Sequence, residues 1–270
     1  MRLWIERYTA LIRAAWMIDL QYRADVFLWL LWGITEPAVA LGIWWTIAKG
    51  APGGEVNGYT GVDFVSYFFG VTLVNQLTQA WDAWYIDQWI ADGELNHRLT
   101  RPMHPMHESI ADNIAYKART ATVIVALWIT ISIVWPDARL PLDWQQLGLA
   151  AIAIVLGAAI KFLNSFTIGL LGFWTTRAMS LVELQMAVGM FLSGEIAPVD
   201  LLPQPIRIVA HALWFPYVLA FPVQLLAGYG DEHMAVWQGF LGQIIWLVIW
   251  WIAFRIMWKR GLKHYGAVGG

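Results

Sequence analysis

Two groups of polar residues interrupt an otherwise apolar sequence, and each suits a different task. The first is the run Asp92-Gly93-Glu94-Leu95-Asn96-His97-Arg98-Leu99-Thr100-Arg101-Pro102-Met103-His104-Pro105. Gly93 can end a preceding helix, Glu94 to Thr100 has room for about two helical turns, and Pro102 stops them. Acids, bases and the Leu95/Leu99 pair on so short a helix are suited to pressing into a groove on a partner. The competing reading is a solvated connector. The second group lies inside apolar segments: Asn75, Gln76, Thr78, Gln79 and Asp82, then Glu183, Gln185, Ser193 and Glu195. Such groups are costly at membrane depth and face either a cavity or a neighbouring helix, which they join by hydrogen bonds. Both roles stay open.

Other chemistry is scarce. A phosphate-binding loop needs Lys followed by Ser or Thr after a Gly-rich turn, and none of Lys49, Lys117, Lys161, Lys259 and Lys263 has that neighbour. His-Glu-x-x-His and Gly-x-Ser-x-Gly are absent too. Of the six His, only His97, His104 and His107 cluster, and Pro102 and Pro105 spoil a regular ligand face there, so no metal site is expected. With no Cys, thiolate chemistry and disulfides are excluded. The net charge of −2 leaves no basic footprint for nucleic acid.

The elements that must position these residues belong in a bilayer. Of 270 residues 59% are hydrophobic and only 13% charged, about half the charged share of a soluble domain. The 19 Trp suit the membrane–water boundary, where an indole meets both phases. Trp81, Trp84, Trp89 and Trp174 are either part of that belt or walls of an apolar side opening. At the start, Trp4, Tyr8, Leu11, Ala15, Ile18 and Tyr22 share one helical face, opposite Arg2, Glu6, Thr9 and Arg13. This pattern predicts an amphipathic helix lying in the interface plane, over about residues 1–24, rather than a secretory signal.

Apolar segments follow over 26–48, 64–90, 120–135, 147–174, from 181 to the Gly194–Pro198 break, and 236–258, so the expectation is an all-α bundle of about six spans. Gly194, Pro198, Pro203 and Pro205 forbid a continuous helix through the region they occupy. The piece up to Ala227 is then either a re-entrant hairpin beside a cavity or pathway, or an ordinary loop followed by a short packing helix. Charge placement favours re-entry. With both ends cytoplasmic, thirteen Lys and Arg fall inside (Lys117, Arg119, Lys259, Arg260 and Lys263 among them) against Lys49, Arg139 and Arg207 outside, and Lys161 falls within the fourth span. A full extra span would turn the C-terminal cluster outwards.

These residues resemble a known family. Gly93-Glu94-Leu95 with Leu99-Thr100-Arg101-Pro102, then Ser193-Gly194 with Pro198 and Leu202-Pro203, then Phe215-Pro216 with Phe221-Pro222, are similar in order and spacing to motifs of permease subunits of ABC-2-type transporters. The ending Trp258-Lys259-Arg260-Gly261, with Tyr265, Ala267 and Gly269-Gly270, resembles the tail of one bacterial subgroup. The resemblance implies an ABC-2-type transmembrane domain over 25–258, with a cytoplasmic coupling helix at about 92–102, a re-entrant segment at about 194–227 and a cytoplasmic tail at 259–270. It implies a multi-pass protein of the bacterial inner membrane and no catalytic residues or cofactor on this chain. ATP and Mg would sit on a separate P-loop ATPase, present in two copies and docked on Asp92, Gly93, Glu94, Leu95, His97, Arg98, Leu99, Arg101 and Pro102. A second permease, the same or a related chain, would complete the substrate pathway, for which Asn75, Gln76, Gln79, Asp82, Glu183, Gln185, Ser193 and Glu195 are the candidates. Two other classes are an energy-independent transporter, disfavoured because the break near Gly194 has no evident counterpart in the first half, and a membrane-embedded lipid-modifying enzyme, disfavoured because no His, Asp or Ser set converges.

Overall fold

The computed structural model describes residues 2–21, 23–134, 143–175, 178–229 and 234–265. The expected stop at Trp135-Pro136-Asp137, together with Arg139, Arg177 and the Gly-Gly end of the tail, lies outside them. The described chain is mostly helical. α1 (Arg2–Gln21) and α2 (Arg23–Gly50) precede a hairpin of β1 (Glu55–Val56) and β2 (Tyr59–Thr60), then α3 (Gly61–Thr78), α4 (Asp82–Ala91), α5 (Leu95–Leu99) and α6 (Met106–Val134). α7 (Trp144–Gly169) runs into a 3-10 turn at Leu170–Phe173. α8 (Ala178–Leu192), α9 (Gln204–Ala212), α10 (Phe215–Val218), α11 (Ala220–Leu226) and α12 (Val236–His264) complete the fold.

By length and composition, Trp144–Phe173 and Val236–His264 can each cross a membrane. A third span results if Gln204–Ala212 and Phe215–Leu226, bent by 68° to one another, count as one.

Local sequence explains several boundaries. Asn57 and Gly58 both take positive φ, as a two-residue hairpin turn requires. Thr60 and Asp63 then cap α3 reciprocally: Thr60 N–H donates to Asp63 Oδ2 at 2.8 Å, and Asp63 N–H donates to Thr60 Oγ1 at 3.3 Å. Gly93, with φ of +74°, turns the chain from α4 into α5. On α1, Tyr8, Leu11 and Ala15 occupy the less exposed face, and the Tyr8 hydroxyl meets His107 Nδ1 of α6 at 2.5 Å.

The core falls into three clusters. At one end Phe64, Phe68 and Val71 of α3 pack with Ala150 and Ala153 of α7 and with Phe221 and Leu225 of α11. At the other, Ile86, Trp89 and Ile90 of α4 and Leu95 of α5 pack with Phe166 and Leu170 and with Phe254 of α12. A third joins Ile160, Leu192, Trp214 and Phe215. Along α12, Gly239, Gly242 and Gly261 lie against the rings of Phe221, Tyr217 and Phe173, where no Cβ would fit without movement. The buried Gln243 donates from Nε2 to the carbonyls of Ala153, at 2.8 Å, and Tyr217, at 2.9 Å.

The segment expected as one continuous second span is broken. α3 ends where Gln79 N–H bonds Asn75 O, and Gln79 leaves the helix with ψ of 140°. Neither Gly nor Pro lies at this break, so the cause is tertiary. Lys117 Nζ of α6 donates to the Gln79 carbonyl at 2.7 Å, and Ser165 Oγ of α7 accepts from the Ala83 N–H at 2.9 Å. Freed backbone groups at such depth need partners of this kind. The expectation that the break near Gly194 stands without a counterpart in the first half is therefore corrected.

Candidate functional site: a polar cavity and the helix below it

A cavity of about 230 Å³ opens between α2, α3, α4, α7, α8 and α10. The α3–α4 break forms one side, through Gln79, Ala80 and Trp81, and α8 forms another, through Gln185 and Gly189, with Ser193 just beyond its end. Lys161 of α7 donates from Nζ to Asn75 Oδ1 at 3.0 Å, and Asn75 Nδ2 donates in turn to Glu195 Oε1. A single amide thus links a cation on α7 to an acid just beyond α8. Asn164 and Gln185 exchange hydrogen bonds of 2.6 and 3.3 Å, which staple α7 to α8. Tyr116 donates to Gln76 Oε1 at 3.2 Å. The walls carry Trp81, Trp84, Trp214, Phe215, Met186 and Met190.

Of the intramembrane candidates, Asn75, Gln76, Gln79, Gln185, Ser193 and Glu195 all line this cavity. Asp82 and Glu183 do not. Asp82 is buried at the start of α4, where Asn113 Nδ2 donates to both of its oxygens at 3.1 and 3.0 Å. Glu183 lies on the exposed side of α8. Polar lining residues that were not among the candidates include Glu36, Lys161 and Asn164. Lys161 and Glu36 each had a visible signal, an ionisable group within an apolar segment.

Gly194, with φ of +94°, turns the chain at the end of α8 beside the cavity. The Gly194 carbonyl accepts from the buried Tyr67 hydroxyl at 2.7 Å, Ser193 O from Ala220 N–H at 3.1 Å, and Ile196 O from Trp44 Nε1 at 2.8 Å. α2, α3 and α11 therefore hold this turn in place. Pro198 leads into a 3-10 turn at Val199–Leu201, and Pro203 precedes α9.

The polar run forms α5 and its flanks. Asp92, Glu94, His97, Leu99, Arg101 and Pro102 are exposed, whereas Leu95 is 1% exposed. Leu95 thus faces the chain's own core and does not fill a partner's groove, a correction to the pairing expected with Leu99. Positions 95 and 99 share one side of α5, but only Leu95 reaches the cluster of Ile86, Trp89 and Ile90 beneath α4. Arg98 is also turned inwards. Its guanidinium lies 4.0 Å from the centre of the Trp89 ring and pairs with Glu94 at 2.9 Å and Glu108 at 3.4 Å. Arg101 meets Glu108 at 3.1 Å. The clustered His residues separate: His104 lies against the Trp258 ring at 4.4 Å, His107 against Tyr8, and His97 faces outwards. Among the described residues, no group of three His, Asp or Glu is placed to hold a metal ion.

A mostly helical chain with apolar helices around a polar, charge-bearing cavity has the build of a multi-pass membrane protein. The model of the ABC-2 family transporter proteins matches residues 35–269, and the chain belongs to that family. No curated protein matches it significantly. Membership makes the chain a membrane transport permease whose transporter includes an ATP-binding subunit.

Proposed function

We propose that this chain is the permease subunit of an ATP-driven exporter in the bacterial inner membrane. It crosses six times with both ends in the cytoplasm, lays α1 in the interface, and carries a re-entrant hairpin over about 194–227. The chain itself does no chemistry. ATP and Mg are held by two copies of a separate P-loop ATPase, and a second permease, the same or a related chain, faces the cavity across the pathway.

One observation carries the coupling assignment: α5 is fixed to α4, and the far end of α4 meets the cavity wall. Leu95 packs in the same cluster as Ile86, Trp89 and Ile90, and Arg98 ties Glu94 and Glu108 over Trp89. A push on exposed Glu94, His97, Leu99 and Arg101 passes into α4 as a rigid body. It ends at the Gln79–Trp81 break, where Gln79 and Trp81 line the cavity. The test is co-purification with the ATPase and measurement of substrate-stimulated hydrolysis. Replacing His97 and Arg101 together by Ala should abolish stimulation while insertion and ATPase binding to nucleotide persist; unchanged stimulation would remove the docking assignment.

A second reading has a specific observation behind it. Breaks at Gln79–Trp81 and at Gly194 flank the same cavity, as in carriers that work without ATP. Uptake or efflux by the permease reconstituted without any ATPase would favour that reading over the first.

A further inference from the structure

From the cavity we infer a substrate class: an amphiphilic protonated amine, with an ammonium head and an aromatic or aliphatic body. The inference rests on the proposed role of this cavity as the transport pathway. Three charge-bearing side chains line the cavity, and they do not balance. Glu36 and Glu195 are acids and Lys161 is a base. Lys161 and Glu195 are already joined through Asn75, so the unmatched charge is that of Glu36. Its Oε1 is buried and accepts no hydrogen bond among the described residues. An unpaired carboxylate in such a place calls for a counter-charge.

A second group asks for the same ligand. Ser193 lines the cavity, is 8% exposed, and its buried Oγ has no hydrogen-bond partner among the described residues. A buried hydroxyl and carboxylate left unsatisfied are costly, and both accept from an N–H donor. The remaining lining is aromatic and thioether: Trp81, Trp84, Trp214, Met186 and Met190. Indole faces attract cations by their quadrupole, and Met adapts to bodies of varied shape. An anion would meet Glu36 and Glu195, with only Lys161, already engaged, to welcome it.

Three small water-soluble probes separate these features: phenethylammonium, benzyltrimethylammonium (charge without N–H donors) and benzenesulfonate (opposite charge). Binding is read by quenching of intrinsic Trp fluorescence in the full chain, alone and with its ATPase, in nanodiscs without nucleotide. Phenethylammonium should bind, benzyltrimethylammonium more weakly, and benzenesulfonate not at all. Glu36→Gln should weaken the amine at least tenfold, and Ser193→Ala severalfold. Equal binding of amine and sulfonate overturns the inference, as does full amine affinity in both variants. Tighter binding of the quaternary ion overturns the role of Ser193 and Glu36 as acceptors. If the ATPase co-purifies and hydrolyses ATP yet no amine binds, the substrate inference falls and the permease reading stands. If no ATPase associates, the permease reading falls, and amine binding is still read on the chain alone.

Discussion

Lys117 on α6 donates from Nζ to the backbone carbonyl of Gln79, 38 residues earlier, at a distance of 2.7 Å. The same ammonium donates to Asn113 Oδ1 at 2.7 Å, and Asn113 holds both oxygens of Asp82. One side chain thus serves both the chain break and, through Asn113, the buried acid that follows it. A long cation supplies here what a helix would have supplied from its own backbone.

Lys117→Met keeps the stem and removes the donor. The Gln79 carbonyl loses its partner and the Asp82 carboxylate loses its neighbouring cation. Leaving a buried acceptor unmatched costs about 1–3 kcal/mol, so the unfolding midpoint of the purified chain, followed by Trp fluorescence, should fall. Adding Asp82→Asn should recover part of the loss, because the uncompensated charge disappears with it. A midpoint unchanged by Lys117→Met would show that the bond to Gln79 does not support the break.

His104 connects acidity to the base of the bundle. Burial pushes its pKa below the usual range, and the nearby His107 and Arg255 push the same way. Its Nδ1 accepts from Met106 N–H at 3.1 Å, a bond that the neutral ring alone can accept. The unfolded chain therefore takes up this proton first: above about pH 6.5 the group leaves stability untouched, and as pH falls through and below that value stability is lost. His104→Asn can accept the same N–H without titrating. The acid-side decline in unfolding midpoint should be shallower in this variant than in the parent; parallel pH curves would contradict the assignment.

Gly194→Ala tests the turn at the end of α8. A φ of +94° is a conformation that L side chains avoid, at a cost of about 1–3 kcal/mol. An added Cβ would also crowd the Tyr67 hydroxyl and come within 3.1 Å of Ala220 Cβ. Folded yield and unfolding midpoint should both drop. Tyr67→Phe in the same chain makes room but leaves the backbone cost, so it should restore only part. Full restoration would assign the whole effect to crowding.

The sequence made some of this legible and hid the rest for identifiable reasons. Gly93 and Gly194 announce their turns because each needs a φ open to glycine, and the helix between Glu94 and Thr100 is bounded by Gly93 and Pro102. The break after Thr78 had no such mark. It depends on Lys117 and Ser165, which reach it from distant parts of the chain. Asp82 reads as a pathway residue from its type and depth, but its orientation depends on Asn113, one turn from Lys117 on another helix. Leu95 and Leu99 look equivalent in spacing, and only the core beneath α4 separates the buried one from the exposed one. Glu36 is visible as an acid within the first apolar segment, but only the cavity around it gives it a role.

The three glycines of α12 make that helix a keyed part. The rings of Phe221, Tyr217 and Phe173 seat at Gly239, Gly242 and Gly261, and a slip along its axis would drive those rings into side chains such as Phe240 or Leu262. Piston-like sliding is thereby barred. α12 is a fixed post with α7 bolted to it through Gln243, whereas α3, α4 and α5 form a jointed arm with its bends at Gln79–Trp81 and Gly93.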